Sequence, residues 1–326
     1  MSGVWASEQE MREVRVLSGS APSLFNLQPW MFREGAGWLE LFLDRSVALP
    51  ETDPDNRELV ISCGAALHHA LLSLRARGWQ AEVRRLPSEQ DADLLARIGV
   101  LGCEEPVPSD RTLARAARRR HVDRRRYAPI AVPQDVLLDL ASAASGAGIS
   151  VITGDQRYAV ARAFTKAAVI HAGSESYRAE LARWSGLPPE AARGVPEASA
   201  PWHGQRYGDV VVRDFGYAET VIGESGSALT AGSLLLISTE TDDREAHLRA
   251  GEALGAVLCR AELGGLSTCP LSEAFEVSRT RADVRREVLA DGGYPQMLVR
   301  VGWPRSTDRP VATPRRGADE MLLPER

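Results

Sequence analysis

Apolar residues recur along this chain with two periods, and the switches between them divide it into elements. Residues 38–44 (WLELFLD) and 233–239 (SLLLIST) are short apolar runs, the signature of strands with a buried face. Each precedes a stretch with helical spacing. After the first come Leu59, Cys63, Ala66, Ala70 and Leu74, closed by Gly78, and the second stretch closes at Gly265. Further strands are expected over 80–85, 98–101, 149–153 and 296–301, and helices over 110–119, 134–145 and 156–171. This mixture predicts an α+β fold.

The same pattern occurs twice. Asp55-Asn56-Arg57-Glu58 with Gly64-Ala65-Ala66-Leu67 is echoed, about 187 residues later, by Asp242-Asp243-Arg244-Glu245 with Gly251-Glu252-Ala253-Leu254. An internally duplicated chain is expected, with a first half over 1–105 and a second over 106–326. Between 173 and 232 the periodicity fails, and Pro188-Pro189, Pro196 and Pro201 punctuate the segment. Such an insert reads as a lid or binding loop, in which Trp202 and Tyr207 either cover a pocket or pin the loop to the body. From Pro304 onward the prolines predict an extended arm.

Composition narrows the function classes. The chain has 326 residues, 44% hydrophobic and 25% charged, with a formal net charge of −5, so no general attraction to nucleic acid or anionic lipid is expected. Cys63, Cys103, Cys259 and Cys269 show no C-x-x-C spacing and read as buried thiols in a reducing compartment. Neither a leader nor a spanning run is visible, and a cytoplasmic protein is expected. His68, His69 and His121 are the remaining candidates for metal chemistry. Adjacent helical side chains diverge by about 100°, so no metal site is assigned.

Two clusters stand out. Residues 21–32 (APSLFNLQPWMF) pack two prolines, two amides and a tryptophan into a segment expected to be an exposed turn, with its N–H groups and amides facing a ligand. Residues 118–127 hold six arginines in ten positions, a local charge that needs a local anion; guanidinium forks suit phosphate.

These segments carry a resemblance. Pro22, Ser23, Asn26, Gln28, Pro29, Trp30 and Phe32 fit the Pro-Ser-x-x-Asn-x-Gln-Pro-Trp motif of the FMN-dependent nitroreductase family, and Arg120-His121-Val122-Asp123-Arg124 resembles its Arg-x-Ser-x-Arg/Lys element, with Val122 in place of the hydroxyl. Gly264-Gly265-Leu266 resembles the family's glycine turn under the flavin, and Arg315-Arg316 its terminal basic pair near the phosphate. The double-length layout is similar to the Acg-type branch, over most of residues 15–318. That similarity includes Ser62 to Leu67, Val212-Arg213-Asp214-Phe215 and Gly293-Tyr294-Pro295-Gln296. That branch usually has histidine where this chain has Phe25, a substrate-pocket candidate, so proton delivery has to come from another acid or from solvent.

The resemblance implies a nitroreductase-like fold in which one chain mimics the family homodimer. The Pro-Ser loop occurs only in the first half and the other elements only in the second, which implies one FMN per chain. It further implies NAD(P)H as donor, a small-molecule substrate and a monomer. FMN sequestration without reductase activity is the rival reading, and a flavin-free metabolite-binding domain is a third.

Overall fold

The computed structural model describes residues 6–188, 190–199, 206–207, 210–215 and 232–324. The first half opens with α1 (Glu8–Gly19), which starts at a reciprocal cap between Ser7 and Glu10. β1 (Trp30–Gly35), β2 (Trp38–Leu43), α2 (Arg57–Arg75), β3 (Trp79–Arg85) and β4 (Leu94–Cys103) follow. Their strands form an antiparallel sheet in the order β1-β2-β4-β3. The Asp53 carboxylate starts α2 by accepting the backbone N–H groups of Glu58 and Leu59 at 3.1 and 3.0 Å.

α3 (Pro108–Arg119) and α4 (Gln134–Ser142) lead to β5 (Gly148–Ile152). The chain then runs through α5 (Gly154–Gly173), α6 (Glu175–Arg183) and two short ladders. These are β6 (Ser185–Leu187) with β7 (Val195–Pro196), and β8 (Arg206–Tyr207) with β9 (Val210–Val211). It re-enters the body at β10 (Ser233–Thr239), continuing as α7 (Arg244–Leu263), β11 (Ser267–Leu271), α8 (Glu273–Glu276), α9 (Ser278–Leu289) and β12 (Tyr294–Gly302).

The second sheet runs β11-β12-β10-β5. Read from its other edge it repeats the first sheet strand for strand, with a helix again between its second and third strands. The chain is therefore an internally duplicated α+β protein. Where the first half has a tight turn after β1, the second carries the whole segment from α5 to β9.

The halves meet at α2 and α7. A Cβ on Gly64 would lie 2.0 Å from the Leu248 carbonyl oxygen, and one on Gly251 would lie 1.9 Å from that of Ile61. Each glycine meets the partner helix at the residue three before the other glycine, so the crossing has local two-fold symmetry. Only hydrogen fits between the backbones. Arg85 and Glu252 add a two-pronged ion pair across the halves, at 2.7 and 2.8 Å.

Several elements lie outside the expected list. α1, β1, α6, β11, α8 and α9 are additional, and α4 ends at Ser142. The insert is not detached from the body: Tyr177, Leu181, Val195 and Phe215 sit in the first half's core, whereas Val210 and Val212 sit in the second's. The arm crosses back to the first sheet, where Met321, wholly buried, lies with its sulfur 3.2 Å from Trp30 Nε1.

Candidate active site

A cavity lies between the halves. The first half lines it with Pro22, Ser23, Leu24 and Phe25, and with Glu58, Ile61 and Ser62 of α2. The second half supplies Val122, Arg124, and Cys269, Pro270, Leu271 and Ser272 at the end of β11. The insert closes over it through Val212, Arg213 and Phe215.

The loop before β1 is not the exposed turn expected. Phe25, Asn26 and Gln28 have φ of 48, 56 and 50°, and Asn26 and Gln28 are 7% and 0% exposed. Three left-handed residues without glycine are costly, and the conformation persists because other parts of the chain hold the loop. Asn26 Nδ2 donates to the carbonyls of Gly194 and Pro314 at 3.1 and 3.0 Å, and Asn26 Oδ1 accepts from Arg315. Gln28 Nε2 donates to Ala192 O at 2.6 Å, while its oxygen accepts the Arg316 N–H at 2.9 Å. Both amides thus bind the insert and the arm and do not line the cavity. Pro22, Ser23 and Phe25 do line it.

The basic cluster divides. Arg120 ends α3 and is 4% exposed; its Nη2 donates to Ser20 O at 2.9 Å, whereas Nε and Nη1 are buried without a hydrogen-bond partner among the described residues. Arg315 feels the Arg120 charge, and burial followed by that repulsion pushes its pKa down to about 9. Arg124 lies on the cavity wall, over the Phe215 ring at 5.2 Å, and burial lowers its pKa. Arg316 points elsewhere: it donates to the carbonyls of Gln28 and Trp30 at 3.3 and 3.0 Å, pinning the arm to β1. The expected basic pair is split, because consecutive residues of an extended chain face opposite ways.

Gly264, Gly265 and Leu266 do not reach the cavity. They end α7, with Gly265 at φ 74° and Leu266 4% exposed in the second half's core. That is a helix C-cap, for which a left-handed glycine suffices. β11, directly after it, brings backbone to the cavity instead. Trp202 lies outside the described residues, and for Tyr207 only the backbone is described, in β8.

Glu58, Ser62, Phe164, Ser272 and Glu273 were not singled out as site residues. A faint signal existed for the first two, a charge pair and a serine on an otherwise apolar helix. Arg213 and Phe215 belong to the Val212–Phe215 stretch, whose sequence alone gives them no role. The insert's arginine stands over the Phe25 ring at 4.9 Å, and Phe215 meets Phe25 edge-on, centroids 6.2 Å apart.

His68, His69 and Cys259 do converge, their ligating atoms lying within 4.8 Å of one another, which the divergence of adjacent helical positions did not predict. Gly255 permits this: a Cβ there would lie 2.9 Å from His68 Nδ1. His69 Nε2 lies 3.3 Å from Cys259 Sγ. Burial, then His68, Arg120 and Arg315, hold His69 well below its ordinary pKa, and burial lifts the Cys259 thiol to about 12. Among the described residues no helix is long and apolar enough to cross a membrane.

No protein-family model matches the chain. A Mycobacterium tuberculosis protein provisionally named an NAD(P)H nitroreductase is 39% identical over 322 residues, covering 96% of this chain and 91% of that one. A second protein of that organism, given the same provisional description and the name acg, is 33% identical over 312 residues, 94% of this chain and 93% of its own. Among solved structures, the FMN-dependent nitroreductase NfnB of Mycobacterium smegmatis in complex with NADPH is similar over 66% of this chain and 100% of its own. The identity is 17% and the TM-score 0.41.

Proposed function

Because this chain belongs to the Acg-type branch of the nitroreductase-like flavoprotein family, we propose that it binds one FMN between its halves and carries hydride between NAD(P)H and a small electrophilic or desaturable metabolite. The nitroreductase-like fold, doubled within one chain, is the premise. The observation that carries the reading is the buried guanidinium of Arg120, two of whose nitrogens have no hydrogen-bond partner among the described residues, beside the lowered pKa of Arg315. A buried guanidinium with unmet donors calls for an anion. A flavin phosphate meets that demand, with the ring extending along the cavity that Arg124 borders. The boundary near residue 105 belongs to the same reading, as do the site roles of Pro22, Ser23, Arg120, Arg124 and Arg315.

FMN, when bound, supplies the two-electron chemistry between donor and oxidant. The chain's own residues position and enclose it. Arg124 supplies positive charge on the wall, favouring negative charge that develops beside it. The Pro22–Phe25 loop and the β11 end approach from opposite halves, and Phe215 with Arg213 limits water.

A length difference supports one site per chain. The connection from α1 to β1 spans residues 20–29, whereas that from α4 to β5 spans only 143–147. The second half cannot form a counterpart of the Pro-Ser loop.

Closure by Phe215 and Arg213 favours the second reading, a protein that sequesters FMN and reacts little. An anaerobic titration of the FMN-loaded chain with NADPH and then NADH separates the two. Bleaching of about one flavin per chain supports the oxidoreductase; bound flavin that resists both donors favours sequestration, and a chain that takes up no flavin overturns both.

A further inference from the structure

One wall of the cavity is built from carboxyls. Glu58 and Glu273 line it and are 1% and 5% exposed. Asp53, 5% exposed, and the buried side chain of Glu276 lie close enough to both Glu58 and the arginines to interact electrostatically. These carboxyls face two buried guanidiniums, Arg57 and Arg213. Full ionisation would leave surplus negative charge in a medium that solvates it poorly, and a bound proton relieves that cost.

The hydrogen bonds are shared unevenly. Asp53 holds the two backbone N–H groups at the start of α2, and Glu276 accepts from Arg213 and, at 2.7 Å, from Ser272 Oγ. Glu58 has Arg57, but that guanidinium also serves Gln296, at 2.8 and 3.1 Å, and the Phe275 carbonyl at 3.3 Å. Glu273 has His171 Nδ1 at 3.5 Å, and its Oε2 is buried without a hydrogen-bond partner among the described residues. An orphaned oxygen on a cavity wall marks where a ligand group belongs. Phe25 offers no proton, so an acid is also missing from the loop.

We propose that Glu58 is the general acid of the oxidoreductase, giving its proton to a heteroatom of the bound substrate as hydride arrives at the neighbouring atom. The proposal rests on the flavin reading above. The carboxyl O–H bond breaks and a new O–H or N–H bond forms on the substrate, which is reduced by the pair of electrons that the nicotinamide donor gave up. Glu58 is left as a carboxylate beside Arg57 and takes its next proton from solvent. Such a site accepts small uncharged molecules with a polarised double bond, because the other walls include Ile61, Phe164, Leu254 and Met297.

Burial dominates the ionisation of Glu58. Burial raises its pKa to about 7, assisted by Glu276 of α8 and Asp53 before α2 and opposed by Arg57 on its own helix and Arg213 of the insert. The group is then half protonated near neutrality, the range in which a general acid is useful.

The test uses the full chain loaded with FMN and reduced beforehand, mixed with a neutral quinone from roughly pH 5.5 to 9. The wild-type rate constant is expected to fall about tenfold per pH unit above about pH 7. E58Q should react about 10- to 100-fold more slowly in this oxidant step and lack that limb, and E58D should retain it. In the flavin-free chain, infrared spectroscopy should show a carboxyl proton that titrates near the same pH and is missing from E58Q. A limb that survives in E58Q overturns the proposal, and so does a carboxyl signal unaffected by the substitution. Failure of the flavin reading looks different: a chain that takes up no FMN while Glu58 still titrates overturns both.

Discussion

At the scale of single residues, the chain carries unfavourable features at the end of α3 and in the loop before β1. Arg120 is buried with its Nε and Nη1 donors unmet among the described residues, and three residues of the Phe25–Gln28 loop are left-handed. Arg120→Ala is therefore expected to weaken FMN retention by about 10- to 100-fold, measured by equilibrium dialysis, since a charge-assisted contact is lost. Asn26→Ala should also weaken it, indirectly, by releasing Arg315; unchanged retention in both variants would contradict the site. Glu58 makes a stability prediction with a definite sign. Its folded pKa of about 7 lies above the ordinary 4.5, so its contribution is fully present below about pH 4.5 and is lost as pH rises through 7. E58Q lacks that loss. Relative to wild type it should gain stability between about pH 4.5 and 8, by at most about 3 kcal/mol, in urea titrations at several pH values.

At the scale of elements, the α2–α7 crossing decides whether the halves meet in register. Gly64→Ala or Gly251→Ala would drive a methyl group into a backbone carbonyl, which a rotamer change cannot relieve. Each is expected to cost about 3 kcal/mol or more by chemical denaturation, at the upper end for overpacking. A cost below about 1 kcal/mol would mean that the helices do not cross there. The same crossing shows what sequence reading can reach. The two glycines and the repeated motif were legible because they recur at one spacing. β1 has no strand signature in the sequence because Arg33, Glu34 and Gly35 break its apolar pattern, and β11 has none because Pro270 interrupts it. The Gly264-Gly265 turn before β11 ends α7 and does not line the cavity; a C-cap and a ligand-facing turn share the same glycine signature.

At the scale of the whole molecule, duplication and closure make separate predictions. Fusion joins both contributors to the site in one polypeptide, so reconstitution should saturate at about one FMN per chain, with the protein a monomer by light scattering. Two equivalents per chain would sink the single-site reading. Removing the entire insert would be uninformative, since Tyr177, Leu181 and Val195 are part of the first half's core. Phe215→Ala is more selective: it removes one core contact, the ring that meets Phe25 edge-on, while leaving Tyr177, Leu181 and Val195 in place. If the insert restrains access, this variant should speed flavin reduction by NADPH in stopped-flow measurements; an unchanged rate would mean that closure does not limit the reaction.

Order along the chain determined the α+β class, the repeat and the presence of an arginine cluster, because periodicity, recurrence and charge density are local properties. It also carried the loop motif by which the family is known. Tertiary structure decided what each motif residue touches. Asn26 and Gln28 face the insert and the arm, Arg315 and Arg316 part company, and Glu58 and Glu273 come to one cavity from α2 and α8 of different halves. The reason is physical: a side chain's partners and the dielectric around it are set by segments hundreds of residues away, and neither burial nor an unmet hydrogen bond has a signature in residue order alone.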